Sequence, residues 1–474
     1  MPIIPFLVIG CAHKAHQNAK RITINDFSRL NETVVHDIVE PANYASLSQY
    51  LQDARTHGLK IAVAGVRHSQ GGHAFYPHAR IISLKKLNKI VEFDPLKKII
   101  TVQAGITWQE IQEYLNASGH AVKIMQVANV FTIGGALSVN ANGIDPQNGP
   151  LIESVVCLKI MLADGTIVTA SRTENSQLFS LVIGGYGLFG IILEVSFQVV
   201  ENNFYQRESC RVAINDYAQF LRTMAQDRAI GFHFGMVNLT ISKEKIFSDI
   251  TAVCYRKIDA IKFTKNKIRS LTAIRRDRAP LKYIRQLGLA LLRKIPAFKA
   301  LHAPLDESRD GDIRSRNFIM SPPVSQVYSK PKKETDLLQE YFIPLDGFTK
   351  FMEKLDTATR KYAINLMHIE LRYIPKNSES FLSYARTDVI GIVIFFNQKI
   401  SSQATYDVQQ WTRALIECAY QLGGAYYLPI QLHATCEQLS AIYPTIDTFF
   451  VMKKQYDPNE LFMNHFYEKY RDIN

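Results

Sequence analysis

The sequence predicts an α+β protein built from more than one folded unit, and three observations support this. The chain has 474 residues, about three times the length of a common domain. Its 47% hydrophobic and 21% charged residues are typical of a globular protein and exclude a mostly disordered one. Strand and helix periodicities alternate between residues 33 and 200, and from about residue 205 longer strands follow.

The first predicted elements are a strand, a helix and a second strand. Thr33 to Glu40 is β-branched and apolar, and Pro41 ends it. A helix should follow, because its apolar residues recur at helical spacing, at Tyr44, Leu47, Leu51 and Ala54. The second strand covers residues 60–64. Three more strands are predicted at residues 80–84, 90–94 and 99–104.

Two local sequence signals predict the next elements. Thr107 followed by Glu110 is a capping-box pattern, which predicts the start of a helix. Cys157 to Thr169 alternates around Asp164-Gly165, a dipeptide typical of a type I′ turn, so we expect a hairpin there.

The second half of the chain has longer elements. We expect a helix near 346 to 361, strands at 364–374 and 389–396, and a helix at 403–422. The polar stretch from Asp306 to Lys333 contains Pro322-Pro323, which indicates a loop or lid connection.

Composition also narrows the class of protein. No stretch reaches the roughly 18 apolar residues that span a bilayer. The six cysteines lack CxxC pairing or metal-ligand spacing, so disulfide scaffolds and structural zinc sites are not expected. Residues 1–30 form an N-terminal segment in which Val8-Ile9-Gly10-Cys11 resembles a lipobox. No basic region precedes this motif, as a secretory signal would require. A lipidated Cys11 and an accidental likeness both stay open.

The net charge of +12 is concentrated in one segment. Residues 256–299 hold 14 Lys or Arg and two acids, and the rest of the chain is balanced. Apolar residues recur among these bases at roughly helical spacing, which is typical of a basic helix on an anionic membrane. A solvated surface face is the alternative. Nucleic acid is an unlikely partner, because the segment has few aromatic residues for base stacking.

Glycine-rich loops supply the strongest functional signal. Residues 185–190 fit G-x-G-x-x-G, but a β-branched strand follows where a dinucleotide fingerprint needs a helix. We therefore interpret these glycines as a tight loop. The other loops, residues 64–73 and 132–143, follow apolar stretches, and such loops can hold phosphate on successive backbone N–H groups.

In this order, the loops resemble the FAD-binding PCMH-type domain of the vanillyl-alcohol oxidase / p-cresol methylhydroxylase superfamily. The sequence is most similar to sugar-alcohol and aldonolactone oxidases and to decaprenylphosphoryl-ribose oxidase-like proteins. Residues 456–464 add a C-terminal motif similar to that of the sugar and aldonolactone oxidases. The resemblance implies an FAD domain at 31–204, a cap (substrate) domain inserted at 205–434, and a segment at 435–474 that returns to the FAD domain.

The resemblance also implies the FAD-binding residues. His68 stands where many members bond the flavin covalently, and we expect that bond here; FAD bound without a bond, with a structural His68, is the alternative. Arg67 departs from the glycine that commonly precedes this histidine, and His73 and His78 are interpreted as bystanders. The expected FAD-binding residues are Gly65, Val66, Arg67, His68, Ser69, Gln70, Gly71, Gly72, Thr132, Gly134, Gly135, Ser138, Asn142, Gly143, Gly190, Ile192 and Asn464.

A Glu-x-Arg pattern in the cap is the candidate substrate site. His368, Glu370 and Arg372 alternate, so a strand would place them on one face. Aldonolactone and alditol oxidases line their substrate site with such a pair, and a surface ion pair is the alternative. The lysine that relatives often carry near Tyr427 is absent. Gln431 and His433 are candidate replacements, so the general base is open.

These residues predict an FAD-dependent oxidoreductase that oxidises a hydroxyl-bearing carbon of a sugar, polyol or aldonolactone. Oxygen or another acceptor would take the electrons, and the sequence does not choose between them. The alternatives are oxidation of a lipid-linked sugar at the membrane surface and a catalytically silent flavin-binding protein. The expected location is peripheral to a membrane, on the cytoplasmic side or, with a lipidated Cys11, the periplasmic side.

Overall fold

The fold was analysed in a computed structural model, which describes residues 21–240, 246–259, 272, 279–294, 309–322 and 331–472. The predicted α+β class is confirmed. The strands are β1 Ile22–Ile24, β2 Thr33–Val35, β3 Asp37–Val39, β4 Ile61–Ala64, β5 Arg80–Ser83, β6 Ile90–Asp94, β7 Ile99–Gln103, β8 His120–Val122, β9 Val155–Met161, β10 Ile167–Ser171, β11 Ile191–Glu201, β12 Phe204–Val212, β13 Ile230–Leu239, β14 Phe247–Ile258, β15 Ile313–Ser315, β16 Glu334–Pro344, β17 Asn365–Ile374, β18 Val389–Lys399 and β19 Ala425–Tyr426.

The α-helices lie between these strands and at the C-terminal end. They are α1 Tyr44–Thr56, α2 Trp108–Ala117, α3 Ile133–Ser138, α4 Ser176–Val182, α5 Tyr217–Gln226, α6 Ala279–Lys294, α7 Arg316–Ile319, α8 Phe348–Lys361, α9 Ser402–Gln421, α10 Cys436–Ile442, α11 Ile446–Tyr456 and α12 His465–Tyr470. No helix of the described residues is long and apolar enough to cross a membrane.

The N-terminal part of the chain forms two main sheets. A parallel sheet has the order β3-β5-β4, and α1 connects β3 to β4. An antiparallel sheet has the order β10-β9-β11-β7-β6, with β8 paired to the far end of β11. Both sheets contribute to one large hydrophobic core. The loops that leave these strands therefore start from rigid positions.

Local sequence explains the two helices of this part. Asn43 and Ser46 form a capping box at the start of α1, which buries Leu47, Leu51 and Ala54 along one stripe. The predicted capping box of α2 is confirmed, because Thr107 and Glu110 bond reciprocally.

The C-terminal segment lies against the parallel sheet. Ile61 of β4 forms a parallel bridge with Phe462. Its N–H donates to the Leu461 carbonyl at 2.7 Å, and its own carbonyl accepts from the Met463 N–H at 2.8 Å. Lys453 and Asp457, an ion pair at 2.5 Å, are almost fully buried just before this contact. The last helices are thereby tied to the start of the chain.

The middle of the chain forms one antiparallel sheet of eight strands, in the order β15-β12-β14-β13-β17-β18-β16-β19. The long helices α8 and α9 pack together and contact β16. Their buried residues recur at helical spacing, as in Phe348, Met352 and Leu355 of α8. These helices cover one face of the sheet, and its other face lies toward the glycine-rich loops of residues 64–73 and 132–143.

Two local predictions were wrong in detail. The Cys157–Thr169 hairpin exists, but its turn is not type I′. Only Gly165, at φ +92°, has a positive φ there. The Leu162 N–H donates to the Thr166 carbonyl across the loop, so a longer turn with one left-handed glycine closes the strands. The predicted loop from Asp306 to Lys333 contains β15 and α7 in its described part.

The basic segment is only partly described, because most residues between 260 and 278 and all of 295–299 lie outside the described residues. Two of its arginines already have partners. Arg256 pairs with Asp227 at 2.7 Å, and the buried Arg293 of α6 donates from Nε to Asp336 at 3.0 Å. The expectation of a membrane-facing base does not hold for the buried Arg293, and it stays a prediction for the rest of the segment.

Three buried histidines make the fold sensitive to acid. Burial lowers the pKa of His73 and of His433 to about 3 and that of His233 to about 4. The unfolded chain therefore binds protons below about pH 6.5, which the folded chain does not. Stability from these groups is present above that pH and is lost as the pH falls toward 4.

We expect the free energy of unfolding to fall by about 1 kcal/mol per histidine between pH 7 and pH 5.5. Urea titrations of the wild type and of His233→Gln at both pH values measure this. The variant should lose about one third of the three-histidine effect, whereas His57→Gln, whose side chain is 64% exposed, should keep it. An equal pH effect in all three proteins would contradict this assignment.

Candidate cofactor and substrate site

A cavity of about 560 Å³ lies between the glycine-rich loops and the open face of the cap sheet. The loops after β4, before α3 and before β11 form one wall. Strands β13, β16, β17 and β18 form the opposite wall. Two parts of the chain that are far apart in sequence therefore share one cavity.

Close packing of the glycine loops leaves their backbone exposed to the cavity. A Cβ on Gly65 would collide with Thr132 Oγ1, and one on Gly135 would lie 3.0 Å from the same atom. A Cβ on Gly134 would lie 2.9 Å from Ala104 Cβ. Side chains are excluded where the two loops meet, so backbone N–H and C=O groups form this wall.

His68 lies in the cavity wall between two aromatic rings. Its imidazole stacks on Phe27 with ring centroids 5.4 Å apart and meets Phe131 edge-on at 4.5 Å. Asp26, next to Phe27, accepts from the Gly72 N–H at 2.9 Å and from Ser28. Burial raises the pKa of Asp26, and these hydrogen bonds oppose that shift. Both ends of the His68 loop are thus held by the segment that carries Phe27.

Gln70 fixes the same loop to the cap. Its N–H donates to the Pro429 carbonyl at 2.8 Å, and its Oε1 accepts from the Leu338 N–H of β16 at 3.1 Å. Its carbonyl accepts from the side chains of Asn31 and Gln431. This buried glutamine links the FAD-type loop to the sheet that faces it.

A charged cluster spans the cavity where the two walls meet. Arg372 donates from Nε to Glu370 Oε1 at 2.7 Å and from Nη1 to Asn142 Oδ1 at 3.1 Å. Asn142 in turn donates from Nδ2 to Glu340 Oε1 at 3.1 Å. His368, Glu370 and Arg372 all line the cavity, as their alternation in the sequence predicts. The Glu370–Arg372 pair is therefore not a surface ion pair.

Burial and neighbouring charges set the protonation of this cluster. Burial raises the pKa of Glu340, while Arg372 and Asn142 oppose the shift and Glu370 adds to it. Burial opposes the charge of Arg372, but Glu370 and Glu340 outweigh it, so the pKa of Arg372 is raised. Two carboxyl groups share one guanidinium, so the cluster carries an excess of hydrogen-bond acceptors for hydroxyl groups.

Most of the expected FAD-binding residues line this cavity. They are Gly65, Val66, Arg67, His68, Ser69, Gln70, Thr132, Gly134, Gly135, Ser138, Asn142, Gly190 and Ile192. The other four, Gly71, Gly72, Gly143 and Asn464, do not line it. A Cβ on Gly71 or Gly143 would press on the carbonyl of Ile430 or Met125, each at 2.5 Å, so these two glycines serve packing.

Asn464 acts one step behind the cavity wall. It caps α12 by accepting from the Tyr467 N–H, and it donates to the Tyr186 carbonyl at 2.9 Å. Tyr186 lines the cavity with φ +54° inside the glycine loop of residues 184–190. A strand, β11, follows this loop, as expected, so no helix N-terminus meets a pyrophosphate there.

The structure does not bring Gln431 and His433 to the cavity. Gln431 is 6% exposed and donates to the Gln70 carbonyl. His433 Nδ1 bonds to Thr412 Oγ1 at 2.9 Å, and the His433 carbonyl accepts from Arg413 Nε. Neither lies among the lining residues, because the chain turns inward after Ile430. Their expected part in catalysis is therefore not supported.

Several lining residues were not assigned a role from the sequence. Glu340 is 7% exposed and completes the charged cluster. His73, interpreted as a bystander, lines the cavity together with Tyr427. The sequence signal for Glu340 was the stretch Glu340-Tyr341-Phe342-Ile343-Pro344, which resembles a segment of the aldonolactone and alditol oxidases. No sequence pattern indicated that His73 and Tyr427 line the cavity, because only the folded chain brings them there.

Comparison with known proteins found a family match for part of each wall. Residues 35–171 match the model of a family described as FAD binding domain. Residues 315–470 match the family of D-arabinono-1,4-lactone oxidase. The resemblance of the loops to the PCMH-type FAD-binding superfamily thus has an independent match in each half of the chain. The resemblance stated from the loops is thereby confirmed.

Curated relatives of this chain carry lactone oxidase and dehydrogenase names. It is 29% identical to L-gulonolactone oxidase of Mus musculus over 34% of this chain and 36% of that protein. It is 27% identical to the mitochondrial L-galactono-1,4-lactone dehydrogenase of Arabidopsis thaliana, over 38% and 29%. It is 30% identical to D-arabinono-1,4-lactone oxidase of Yarrowia lipolytica, over 34% and 31%. The match thus spans about a third of these relatives' length.

FAD fits the residues of this site. The backbone wall around Gly65 and Gly135 suits phosphate groups, which bind to N–H-rich glycine loops. The aromatic rings of Phe27 and Phe131 and the imidazole of His68 provide planar contacts for a ring system. The residues that would hold FAD are therefore those of the 65–70 and 132–142 loops.

Arg67 occupies a glycine-like conformation, with φ +59°. Holding a non-glycine residue in the left-handed region costs roughly 1–2 kcal/mol. Glycine avoids this cost, but it loses about 0.5–1 kcal/mol more in chain entropy on folding. Arg67→Gly should therefore raise the free energy of unfolding by about 0.5–1 kcal/mol, measured by urea titration.

The matched control for Arg67→Gly is Lys354→Gly, which replaces an exposed cation inside α8. It should lower the free energy of unfolding by about 1 kcal/mol, because glycine disfavours a helix interior. A comparable loss in both variants would show that the conformation of Arg67 is not strained.

Proposed function

We propose that this protein is an FAD-dependent oxidoreductase that oxidises a hydroxyl-bearing carbon of an aldonolactone or a related sugar. The cluster of Asn142, Glu340, Glu370 and Arg372 carries the proposal, because it places hydroxyl-binding groups directly beside the loops that suit FAD. The names of the relatives support the same substrate class.

Each member of the cluster has a distinct part in holding a polyhydroxy substrate. Glu340 and Glu370 accept hydrogen bonds from hydroxyl groups, and Arg372 donates to ring or carbonyl oxygens. Asn142 holds Arg372 and Glu340 at fixed positions, which lowers the entropy cost of orienting the substrate. Bound FAD would supply the two-electron acceptor that amino acid side chains lack.

The final electron acceptor is proposed only as oxygen or another oxidant. The relatives include both oxidases and dehydrogenases of sugar lactones. The cavity walls determine where a lactone binds, whereas oxygen use depends on access to the bound cofactor. The substrate site and the acceptor are therefore separate properties of this protein.

We also propose that His68 attaches the flavin covalently. Its ring lines the cavity and is held between Phe27 and Phe131, beside the loops that suit FAD. Imidazole is a competent nucleophile when its nitrogen is unprotonated. Two sets of hydrogen bonds hold this loop, from Gly72 to Asp26 and from Gln70 to the cap. They would keep the bond between His68 and the flavin in one position.

Acid precipitation tests the attachment. Flavin should stay in the pellet of the wild-type protein and move to the supernatant in His68→Ala. The exposed His57→Ala is the control and should keep flavin in the pellet. Free flavin from the wild type would refute the covalent bond and leave the FAD proposal standing. A protein that binds no FAD at all would refute both.

Variants of the charged pair test the substrate site. Glu370→Gln and Arg372→Met should each slow flavin reduction by L-gulono-, L-galactono- or D-arabinono-1,4-lactone by on the order of 100-fold, the scale of a lost charged positioning contact. FAD content should stay normal. Rapid-mixing absorbance at saturating lactone measures the rate.

The control for these variants is an exposed ion pair, Lys98 and Glu201, at 3.1 Å. Lys98→Met and Glu201→Gln remove the same charges away from the cavity and should leave reduction unchanged. If the cavity variants reduce as fast as these controls with a good substrate, the pair has no part in holding the substrate.

A further inference from the structure

We propose that Glu340 is the general base of this site, the group that takes up the hydroxyl proton of the substrate as the hydroxyl-bearing carbon is oxidised. This inference rests on the proposed function and assigns one step of it to one residue. It follows from the hydrogen bonds, the burial and the charges around the carboxyl groups of the cavity.

Glu340 lies where the two walls of the cavity meet. Its strand, β16, belongs to the cap sheet, and its Oε1 accepts from Asn142 Nδ2 of the FAD-side loop at 3.1 Å. The reacting carbon has to lie between the cap and the bound cofactor, because a hydride can pass only between atoms in close contact. Glu340 is bonded directly to the cofactor wall, whereas Glu370 is joined to that wall through Arg372.

One oxygen of the Glu340 carboxyl is available to a substrate. Among the residues that the structure describes, the partner of this carboxyl is Asn142, which binds Oε1. Oε2 is left to accept from a substrate hydroxyl, and Glu340 lines the cavity although it is only 7% exposed. A general base must come within hydrogen-bond reach of the proton that it takes. Oε2 can do so without losing the bond that fixes the side chain.

The other carboxyl group of the cluster is poorly suited to this task. Glu370 Oε1 accepts from Arg372 Nε at 2.7 Å, so a proton on Glu370 would cost an ion pair. Glu340 accepts from a neutral amide instead. Val393 pairs with both glutamates, so one strand separates them and their Cα atoms lie about 9–10 Å apart. The two carboxyl groups therefore do different work: Glu370 holds Arg372, and Glu340 takes the proton.

Burial gives Glu340 the proton affinity that a base needs. Burial raises the pKa of Glu340, Arg372 and Asn142 oppose that shift, and Glu370 adds to it. A carboxylate whose pKa lies nearer to the working pH than that of an ordinary glutamate is a stronger proton acceptor. The same burial excludes bulk water, which would otherwise compete for the hydrogen bond to the substrate.

The other titratable groups that face Glu340 or share its cavity are weaker candidates. The phenols of Tyr384, before β18, Tyr427, after β19, and Tyr443, after α10, interact with its charge. Burial raises the pKa of each phenol, so all three stay protonated and can only donate near neutral pH. Burial lowers the pKa of His73 to about 3, so its neutral imidazole has little affinity for a proton.

The proposed step is balanced in atoms and electrons. The O–H bond of the substrate breaks and its proton goes to Glu340, while the C–H bond of the same carbon breaks and its hydride carries two electrons to bound FAD. The carbon–oxygen bond becomes a carbonyl, so the substrate is oxidised and the cofactor is reduced. The proton leaves Glu340 for solvent when the product departs.

The pH dependence of flavin reduction in the FAD-loaded protein tests the proposal. At saturating L-gulono-, L-galactono- or D-arabinono-1,4-lactone, the wild-type rate constant should rise with pH through one ionisation, because the base must be unprotonated. In Glu340→Gln this ionisation should disappear, and the rate constant should fall by on the order of 100-fold or more. The dissociation constant of the lactone should change by about fivefold or less, the scale of one neutral hydrogen bond, because glutamine can still accept from Asn142.

Two neighbouring variants should move the same ionisation in opposite directions. Glu370→Gln removes a charge that raises the pKa of Glu340, so the midpoint should shift to lower pH. Arg372→Met removes a charge that lowers this pKa, so the midpoint should shift to higher pH. Glu353→Gln, which replaces an exposed carboxyl on α8, is the matched control and should change neither rate nor midpoint. If Glu340→Gln fails to bind FAD, the two opposite shifts decide by themselves.

Infrared difference spectroscopy gives a readout that needs no turnover. In the FAD-loaded protein without substrate, lowering the pH should produce the C=O band of a protonated carboxyl before the exposed carboxyl groups take up protons, because burial raises the pKa of Glu340. This early band should be missing in Glu340→Gln and present in Glu353→Gln.

Several results would overturn the proposal. One is a rate constant that stays at the wild-type value in Glu340→Gln while the lactone binds more weakly, which would make Glu340 a binding residue only. Others are a wild-type rate constant that does not change with pH, and an ionisation that persists in Glu340→Gln but vanishes in Glu370→Gln or His368→Gln. Each of these would leave the proposed function standing. A wild-type protein whose FAD no lactone reduces would refute the proposed function, and this inference with it.

Discussion

The side-chain amide of Asn142 is the interaction on which the site depends. It lies on a loop of the FAD-binding wall, and it bonds with its oxygen to Arg372 and with its nitrogen to Glu340 of the cap. Each bond is to a charged or ionisable group in a buried place, where hydrogen bonds to charges are stronger than at the surface. Asn142 thus links the two walls, and without it the buried Glu340 carboxyl would lose this hydrogen bond in the interior.

The FAD-binding wall depends on a second constraint, the close approach of two loops at Thr132. Glycine at 65 and 135 permits that approach, and the segment around Asp26 holds the loop from behind. The hydrogen bonds of Gln70 then connect the same loop to β16 and to Pro429. This loop and the cap sheet are therefore joined directly by hydrogen bonds.

The tertiary structure also changes how the cluster of positive charge in the sequence is interpreted. The sequence concentrates its net charge in residues 256–299, which by itself favours an anionic partner. Yet Arg293 is buried against Asp336, and Arg256 pairs with Asp227. These contacts place α6 at one end of the cavity, where Leu289 packs with Met367 and Phe395 and Leu287 faces solvent. The apolar face of α6 therefore packs inside the protein, whatever its polar face contacts.

The sequence by itself determined the local elements and the cofactor class. Periodicity and capping placed α1 and α2, because such signals act over three or four residues. The glycine loops and their order indicated FAD, and the alternation at 368–372 put the charged pair on one face of a strand. The tertiary structure decided what meets across the cavity: it brought in Glu340 and His73, and it turned Gln431 and His433 away. These outcomes depend on contacts between residues up to about 360 positions apart, which no local pattern encodes, because a strand's alternation fixes its faces but not its neighbours.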